Sequence, residues 1–552
     1  MGISGLAMAR WCARLGDAVT LIDTRSDPER LAAAKATLPD MTVMQGALDR
    51  VTGPDADWDE VYVSPGLSPD TLAPLTAWAS AHGRRIGNEL DLFIDGLKAH
   101  EPPPNEPVPD ASTEEIALPQ AMGEDGPVDD DSEPIDPIDP IDPIDPIDPS
   151  EPIAPPAPPA PISRAPKILA ITGTNGKTTV TALTHHLLQW SGVHSVVAGN
   201  IGTSMLDALS ACIDKAEWPS VWVLELSSFQ LAACDRFEPT AATILNVSQD
   251  HLDWHGDMAH YIDSKRRIFG ALTLRVLNRD DDTVMASVPP TPPTLKRGEA
   301  AKPVAQWESF GAGAPTRPGD WGLESTNGLT WLVRAEAVDD IVRQPKKDAP
   351  PVAVFLQRLM PADALRIRGK HNACNALAAL ALATAGGGQL ALMLHALREY
   401  EGEPHRVQSV AILRDVEYFD DSKGTNVGAT LAAINGLGAE RQLVVILGGE
   451  GKGQDFSPLR DAVKRSVRSV ILIGKDAAVI RQALADTGVP LADASDMTAA
   501  VKAAAEAART GDAVLLSPAC ASLDMYANYI ARAAAFKNAV QALADDQGSV
   551  LS

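Results

Sequence analysis

Cysteines are few in this sequence and long hydrophobic runs are absent, and both features restrict what the protein can be. The 552 residues include five cysteines, which are scattered along the chain: Cys12, Cys212, Cys234, Cys374 and Cys520. Such spacing favours buried thiols in a reducing compartment over a disulfide framework or a zinc site. No run of 18 apolar residues occurs, so we expect no membrane insertion. Since the N-terminus lacks the basic flank and apolar core of a signal peptide, we expect a cytoplasmic protein.

Basic residues are nearly absent from one segment, and this segment dominates the charge of the chain. The formal net charge is −26, of which residues 101–166 contribute −16, with 17 acidic residues against Arg164. The other 486 residues carry −10, which is ordinary for a soluble enzyme. A strongly acidic balance argues against a general nucleic-acid-binding protein.

The acidic segment also holds 20 of the 43 prolines, many of them in a tandem Ile-Asp-Pro repeat from Ile135 to Pro149. Proline removes backbone hydrogen-bond donors and the aspartates repel one another, so the segment cannot form a packed core. We predict that residues 100–166 are a disordered linker that joins its flanking domains without positioning them. Whether the linker also binds an unknown partner is left open.

Residues 167–179 carry the strongest functional signal, reading Lys-Ile-Leu-Ala-Ile-Thr-Gly-Thr-Asn-Gly-Lys-Thr-Thr. An apolar run suited to a buried strand leads into a glycine-rich turn, and a helical pattern follows. Glycines let backbone N–H groups approach an anion, and the helix N-terminus adds its positive dipole. Lys177 can neutralise phosphate charge, and Thr178 can place a hydroxyl on Mg²⁺. The motif predicts a bound nucleoside triphosphate, although Gly173 precedes Gly176 by three residues rather than the five of the usual phosphate loop.

Strand and helix patterns alternate on both sides of the linker. This alternation predicts an α/β protein with parallel sheets and with ligand sites at the carboxyl ends of the strands. We expect three domains, at residues 1–99, 167–402 and 403–552. The first resembles half of a Rossmann domain, with a strand pattern from Ala18 to Asp23. Because its opening glycine turn should follow a strand, we expect that the first strand is missing and that Met1 is an internal residue of the true product.

Further patterns locate individual elements of the second and third domains. Strands are predicted at Val221–Leu224, Ala241–Asn246, 442–447, 470–473 and 513–517, and a helix at Asn372–Ala385. Residues 283–352 are rich in proline and loop-forming residues and are read as loops.

Polar residues follow two of the predicted strands in the second domain. Glu225 ends one strand, where a carboxylate beside a phosphate loop suits a Mg²⁺ ligand. His251 follows the next strand between Asp250 and Asp253, and its chemistry leaves a structural role and a cation-ligand role equally open. A helical stretch further on contains three consecutive basic residues, which indicate a solvated or phosphate-steering face, and nothing in the pattern distinguishes Lys265.

The third domain carries several polar loops after apolar strands. Arg406 stands at its start, where a guanidinium can stabilise the charge of phosphoryl transfer. Polar loops follow at 419–426, 448–452 and 517–522. These loops lie at the edge of the sheet where a ligand is expected.

Together these segments resemble the Mur ligase family, ATP-dependent enzymes that add amino acids to the peptidoglycan precursor. The resemblance rests on Gly-Thr-Asn-Gly-Lys-Thr, Leu-Glu-Leu-Ser-Ser-Phe-Gln, Asp-His-Leu-Asp, Gly-Lys-His-Asn-Ala-Cys-Asn-Ala, Asp-Ser-Lys-Gly-Thr-Asn and Leu-Ser-Pro-Ala-Cys-Ala-Ser-Leu-Asp, which occur in the family's order. It spans all three domains and skips the linker and parts of 283–352. It implies a Rossmann-like N-terminal domain, a central P-loop-type ATPase domain with a parallel sheet, and a C-terminal Rossmann-like α/β domain.

The same resemblance implies a reaction, and it points to the family members that add D-glutamate. The expected enzyme is a monomer that uses ATP and Mg²⁺ to join D-glutamate to UDP-N-acetylmuramoyl-L-alanine through an acyl phosphate, in peptidoglycan precursor synthesis. The residues it implies for ATP are Gly173, Thr174, Asn175, Gly176, Lys177, Thr178, Thr179, Asn372, Arg406, Asp421 and Lys423. The residues it implies for catalysis are Lys177, Lys265, His251 and Arg406.

Metal and substrate positions are also implied by the resemblance. The metal ligands would be Thr178, Glu225, His251 and Lys265, the last after carbamylation by CO₂. The substrate contacts would be Asp23, Thr24, Arg25 and Ser64 for uridine, Asn200 for the muramoyl group, and Thr425, Lys452, Ser522 and Tyr529 for D-glutamate. The sequence departs from the family pattern in the missing first strand, in Tyr529 where Phe is expected, and in Arg532-Ala-Ala-Ala-Phe536 where Arg-Gly is expected.

Three other interpretations compete with this one. An NAD-dependent oxidoreductase would use the N-terminal half-Rossmann pattern and Asp23, but it leaves the loop at 173–179 unexplained. Another ligase of the family, such as a folylpolyglutamate synthase or the diaminopimelate-adding enzyme, is disfavoured by the segments at 421–426 and 517–524. A non-catalytic scaffold that recruits division proteins through the linker is disfavoured by the intact Gly-Lys-Thr and Glu225.

Overall fold

The computed structural model describes residues 2–24, 28–46, 48, 51–53, 57–100, 165–290, 303–338, 353–439 and 441–546. The described residues within 1–100 and 166–552 pack into one unit. The predicted linker lies almost wholly outside the described residues. Arg25, predicted to contact uridine, also lies outside them. The three-domain division therefore stays a prediction. No helix in the described part of the chain has the length and apolar character needed to cross a membrane.

The N-terminal region alternates helices and short strands. Its elements are α1 (Ile3–Leu15), β1 (Thr20–Asp23), α2 (Pro28–Thr37), β2 (Thr42–Gln45), β3 (Val61–Tyr62), α3 (Pro69–Ala81), β4 (Ile86–Gly87) and α4 (Glu89–Ala99). Within the described residues, β1 pairs with β2 and β3 pairs with β4, both in parallel, as two separate sheets. The α/β alternation is confirmed. Helix α1 begins directly after Gly2, which is its N-cap.

The central region is built on a six-stranded parallel sheet. Its elements up to residue 310 are β5 (Lys167–Thr172), α5 (Lys177–Trp190), β6 (Ser195–Gly199), α6 (Met205–Lys215), β7 (Val221–Glu225), α7 (Ser228–Ala232), β8 (Ala241–Ile244), α8 (Leu252–His255), α9 (Met258–Arg266), β9 (Leu274–Asn278), α10 (Asp282–Met285) and β10 (Trp307–Phe310). The strand order is β10-β9-β8-β5-β7-β6. Strands buried on both faces read as continuous apolar runs, and Leu169, Ala170 and Ile171 in β5 are all 0% exposed. Such a sheet holds the end of β5 rigidly.

Residues 311–400 complete the central region. They form β11 (Trp321–Thr326), β12 (Leu329–Ala337), β13 (Val354–Pro361), α11 (Lys370–Gly386) and α12 (Leu390–Glu399). The prediction of loops over 283–352 was wrong in part, because β10, β11 and β12 lie there and β11-β12-β13 form an antiparallel sheet. The prolines of this stretch fall between these strands and not inside them, so they mark strand ends and leave the ladders intact.

The C-terminal region is a second α/β layer. Its elements are β14 (Gln408–Leu413), β15 (Val416–Asp420), α13 (Val427–Leu437), β16 (Leu443–Gly448), α14 (Arg460–Ser466), β17 (Val467–Ile473), α15 (Ala477–Leu484), β18 (Leu491–Asp493), α16 (Met497–Ala507), β19 (Ala513–Leu516) and α17 (Tyr529–Asp546). The strand order is β14-β15-β19-β16-β17-β18, parallel except for β14. The carboxyl ends of β15, β19 and β16 therefore lie side by side, and the predicted polar loops follow these three strands.

Candidate active site

The turn between β5 and α5 has the backbone conformation of a phosphate-binding loop. Gly173 has φ 153° and Gly176 has φ 84°, both in the region that favours glycine. A Cβ at Gly176 would lie 2.9 Å from Asn375 Oδ1, and one at Gly173 would lie 3.0 Å from Leu245 Cβ. Both positions therefore require glycine for space as well as for conformation. The turn leads directly into the N-terminus of α5, whose first N–H groups lack intrahelical acceptors.

Two lysines converge on this loop from different elements. The Lys177 ammonium donates to the carbonyls of Gly173 and Thr174, each at 2.9 Å. Lys265 on α9 donates to the same Gly173 carbonyl at 2.9 Å, and it also lies over the Tyr261 ring at 4.5 Å from the centroid. Two lysine amines therefore meet at one carbonyl of the phosphate-binding turn.

The burial of Lys265 shows that the prediction for its helix was wrong at this residue. The three consecutive basic residues predict a solvated or phosphate-steering face, yet Lys265 is only 2% exposed. Burial, and next the nearby charge of Lys177, lower the pKa of Lys265 well below its usual value. Its amine therefore loses a proton more readily than that of a surface lysine.

Two cations of the C-terminal region meet the nucleotide loop at Thr178. Arg406 donates to Thr178 Oγ1 at 2.9 Å and Lys423 donates to the same oxygen at 3.2 Å. Burial first, and then the positive charge of Arg406, lower the pKa of Lys423 to about 8. The two hydrogen bonds to Thr178 therefore hold the carboxyl edge of the C-terminal sheet against the nucleotide loop of the central region.

Glu225 offers a buried oxygen to a cation. It ends β7 and is 2% exposed. Its Oε1 accepts a hydrogen bond from Asn200 Nδ2 at 2.9 Å, whereas its buried Oε2 finds no hydrogen-bond partner among the described residues. A buried carboxylate oxygen without a donor is costly, so this atom fits a metal ion. Mg²⁺ is an ion that often takes one or two carboxylates and completes its shell with substrate phosphate and water. Within the described chain, no group of three or more His, Cys, Asp or Glu could hold a metal ion.

His251 and Asp250 lie on the loop that follows β8. His251 has a left-handed backbone, with φ 54°, and its Nε2 is 3.6 Å from Asp250 Oδ2. Burial lowers the pKa of His251 more than the Asp250 carboxylate raises it. A neutral imidazole is the form that can act as a ligand. The position of His251 beside Asp250 and its lowered pKa are compatible with a cation-ligand role.

The loop after β15 holds a buried carboxyl group. Asp421 accepts a hydrogen bond from Ser517 Oγ at 2.6 Å, and burial raises the pKa of Asp421 to about 7. Its neighbour Asp420 accepts a hydrogen bond from His405 Nδ1 at 2.7 Å. These bonds fix the end of β15 to the loop after β19 and to the segment that carries Arg406.

The remaining predicted residues fall into three groups. Asn372 lies at the start of α11, where it donates to the Arg368 carbonyl at 2.8 Å and accepts from Asn375 at 3.1 Å. Thr425, Lys452, Ser522 and Tyr529 belong to loops at the carboxyl edge of the C-terminal sheet and to the start of α17. Asp23, Thr24 and Ser64 lie at or just beyond the ends of β1 and β3 in the N-terminal region.

Sequence reasoning missed several asparagines that organise the loop. Asn246 exchanges two hydrogen bonds with the backbone of Asn175, at 2.9 and 3.1 Å. Asn375 supplies the oxygen that approaches Gly176. The spacing of Asn375 from Asn372, three residues along a helix, was the available signal, since such residues share a face.

Comparisons with known proteins identify the family. A model of the Mur ligase middle domain matches residues 171–309, and a model of the Mur ligase glutamate ligase domain matches residues 405–520. The UDP-N-acetylmuramoylalanine--D-glutamate ligase of Polaromonas sp. (strain JS666) is 52% identical, over 100% of this chain and 98% of the relative. The enzymes of that name from Albidiferax ferrireducens and Burkholderia pseudomallei are 48% and 47% identical, over 100% of this chain and 96% and 97% of their own lengths. The predicted resemblance is therefore confirmed, and the chain belongs to the Mur ligase family, among its UDP-N-acetylmuramoylalanine--D-glutamate ligases.

Proposed function

We propose that this protein joins D-glutamate to UDP-N-acetylmuramoyl-L-alanine while ATP is converted to ADP and phosphate. Relatives that match the whole chain bear the name of this activity. The structural observation that carries the proposal is the convergence of Arg406 and Lys423 on Thr178 of the nucleotide loop. It brings two sheets together at the place where a phosphoryl group would be transferred.

The chemistry explains why a phosphate site is needed for amide formation. A carboxylate resists attack by an amine because its oxygen is a poor leaving group. Transfer of the terminal phosphoryl group of ATP to a carboxylate oxygen gives an acyl phosphate and ADP. The amine of D-glutamate then attacks the acyl carbon and loses a proton, and the tetrahedral intermediate expels phosphate. The protein must position the reactants and neutralise phosphoryl charge.

The nucleotide-site residues divide this work between the two sheets. The loop at 173–179 and the N-terminus of α5 hold the phosphates, and Lys177 neutralises part of their charge. Arg406 and Lys423, from the C-terminal region, approach the same phosphates at the place where charge develops during phosphoryl transfer. Asn372 and Asp421 belong to this nucleotide site, since Asn372 contacts the Asn375 side chain that borders Gly176 and Asp421 stands two residues before Lys423.

Thr178 and Glu225 would hold Mg²⁺, with the orphaned Oε2 of Glu225 as the main support. The ion would neutralise phosphate charge and fix the orientation of the phosphates. The neutral amine of Lys265 would add to CO₂ and lose a proton to give a carbamate. This carbamate and His251 would then bind a second cation. The lowered pKa of Lys265 and the adjacent charge of Lys177 favour such an anionic carbamate.

Substrate positions follow from the same family pattern. Asp23, Thr24 and Ser64 would contact uridine, with Arg25 beside them in the sequence, and Asn200 would contact the muramoyl group. The residues proposed for D-glutamate are Thr425, Lys452, Ser522 and Tyr529. We propose a cytoplasmic monomer that binds no nucleic acid.

A panel of amino acids tests the function. The protein is supplied with ATP, Mg²⁺, UDP-N-acetylmuramoyl-L-alanine and, in turn, D-glutamate, L-glutamate, L-lysine or meso-diaminopimelate, and ADP is measured. We expect ADP formation with D-glutamate alone. Turnover with diaminopimelate instead would favour another ligase of the family. In a separate assay with NAD, nicotinamide reduction would favour the oxidoreductase.

Deleting residues 105–160 should leave the reaction largely intact. The expected kcat/KM is within about tenfold of the full chain, equivalent to about 1.4 kcal/mol, because a segment so rich in proline and acidic residues is not expected to position its flanks. A matched variant with the segment replaced by a Gly/Ser linker of equal length is the control. If the deletion variant loses more than this in kcat/KM and the Gly/Ser replacement restores the activity, the length of the segment matters and the shortened connection does not span the distance between its flanks. A larger loss in both would mean that the linker positions the first domain.

The pH profile of nucleotide use should reflect Lys423. Because burial lowers the pKa of Lys423 to about 8, the ammonium loses its proton as the pH rises through 8 and its attraction for phosphate is lost. We expect kcat/KM for ATP to fall above about pH 8, since this ratio reports the free enzyme. Lys423→Arg keeps the positive charge at high pH, so it should remove the fall in kcat/KM above pH 8, whatever the absolute activity of the variant. If both proteins show the same fall in kcat/KM, Lys423 is not its cause.

A further inference from the structure

Asn426, in the loop between β15 and α13, connects the C-terminal region to two loops of the central region. Its Nδ2 donates to Asn175 Oδ1 at 3.1 Å and approaches Asp250 Oδ2 at 3.4 Å. Its Oδ1 accepts a hydrogen bond from the backbone N–H of Ala429 at 2.9 Å and so caps α13. The side chain is 7% exposed. One buried amide therefore caps a helix with its oxygen and bridges two regions with its nitrogen.

Helix α13 lies close to the central region near both of its ends. A Cβ at Gly428 would lie 3.0 Å from Asn175 Nδ2 and from Ser248 Oγ. A Cβ at Gly436 would lie 2.9 Å from His371 Cε1, next to the start of α11. Gly428 and Gly436 are eight residues apart and share a helix face. This close approach leaves little freedom in how the loop before α13 meets the nucleotide loop.

The bridge joins two parts of the proposed active site. Asn175 is fixed from the other side, because Asn246 exchanges hydrogen bonds with its backbone at the end of β8. The loop that ends at Asn426 also carries Lys423 and Thr425, which are proposed to contact nucleotide and D-glutamate. The Asn426 amide thus links the anchored nucleotide loop to the loop that presents these two side chains.

We propose that Asn426 is a positioning residue that holds the loop at 421–426 against the nucleotide loop while the acyl phosphate meets the amine. This inference rests on the proposed function for its kinetic consequence, whereas the loop contact itself does not. The side chain of Asn426 contacts Asn175, Asp250 and the N-terminus of α13, so it would act on the reaction through these groups. Loss of the bridge should therefore lower kcat more than it weakens ATP binding, because Lys177 and the Asn246 bonds still hold the nucleotide loop.

Asn426→Asp separates the two roles of the side chain. Aspartate is an equally good N-cap, so α13 should remain intact, but the amide donor is lost and a carboxylate is placed beside Asp250. Asn426→Ser also retains a cap but is too short to bridge. Asn435→Ala, on the exposed face of the same helix, is the matched control.

The experiment measures unfolding midpoint, kcat, KM for ATP, and amide hydrogen exchange of residues 173–176 and 421–426 with ADP bound. For both variants we expect a kcat lower by about 10–100-fold, KM for ATP within about threefold, and faster exchange in 421–426. The midpoint should be unchanged for Asn426→Ser and lower for Asn426→Asp, because the new carboxylate lies beside Asp250. Asn435→Ala should match the wild type in all four.

Unchanged exchange in 421–426 in both variants, or a kcat loss in Asn426→Ser matched by a fall in its midpoint, would overturn the positioning role. Failure of the proposed function is a separate result, because it would appear as no D-glutamate-dependent ADP formation by the wild type. The hydrogen-exchange measurement would then still show whether Asn426 holds the loop at 421–426 against the nucleotide loop.

Discussion

Lys177→Ala should reduce ATP-dependent phosphate release to background, a loss of at least about 10²–10³-fold. The Lys177 ammonium lies inside the phosphate-binding turn, bonded to the carbonyls of Gly173 and Thr174, where it would supply positive charge to the phosphates. Steady-state phosphate release with both substrates present measures the effect. Since burial disfavours the charged form of Lys177 and lowers its pKa, its removal should not destabilise the fold, and the unfolding midpoint should be retained.

Lys98→Ala is the matched control for this prediction, because Lys98 is exposed in the last turn of α4. We expect wild-type phosphate release from it. Wild-type turnover by Lys177→Ala would refute the assignment of the nucleotide loop. A loss in both variants would point to a general effect of removing positive charge.

Glu225→Gln should have an effect of similar size and should change the dependence on Mg²⁺. The substitution preserves shape, and the amide oxygen can still accept the hydrogen bond from Asn200. The charge on the orphaned buried oxygen is lost, and with it the favourable contact to a divalent ion. We expect kcat to fall by about 10²–10³-fold and the Mg²⁺ concentration for half-maximal rate to rise.

A titration of ADP formation against Mg²⁺ measures this prediction. Glu217→Gln, at an exposed position after α6, should give the wild-type curve. If Glu225→Gln also gives the wild-type curve, the carboxylate is structural and the ion is held elsewhere.

Part of the fold could be predicted because its signals are local. The run from Ile168 to Ile171 is apolar because β5 is buried on both faces from Leu169 onward. Gly173 and Gly176 occupy conformations and spaces that exclude side chains. The antiparallel sheet at 321–361 was missed because prolines between strands resemble prolines that break them.

Other parts of the site depend on contacts distant in sequence. Lys265 is indistinguishable from its basic neighbours until α9 is packed against Gly173, 92 residues away. Arg406 lies 228 residues from Thr178, and Asn426 lies 251 residues from Asn175. No periodicity within one element reports such pairs, so they required the family resemblance or the structure.

The most direct test of the proposed reaction follows one oxygen atom. UDP-N-acetylmuramoyl-L-alanine labelled with ¹⁸O in its carboxylate is incubated with enzyme, Mg²⁺, ATP and D-glutamate, and the released phosphate is analysed by mass spectrometry. If the carboxylate is phosphorylated and then displaced by the amine, one ¹⁸O should appear in each phosphate, only when D-glutamate is present. Unlabelled phosphate formed alongside the amide product would contradict an acyl phosphate intermediate.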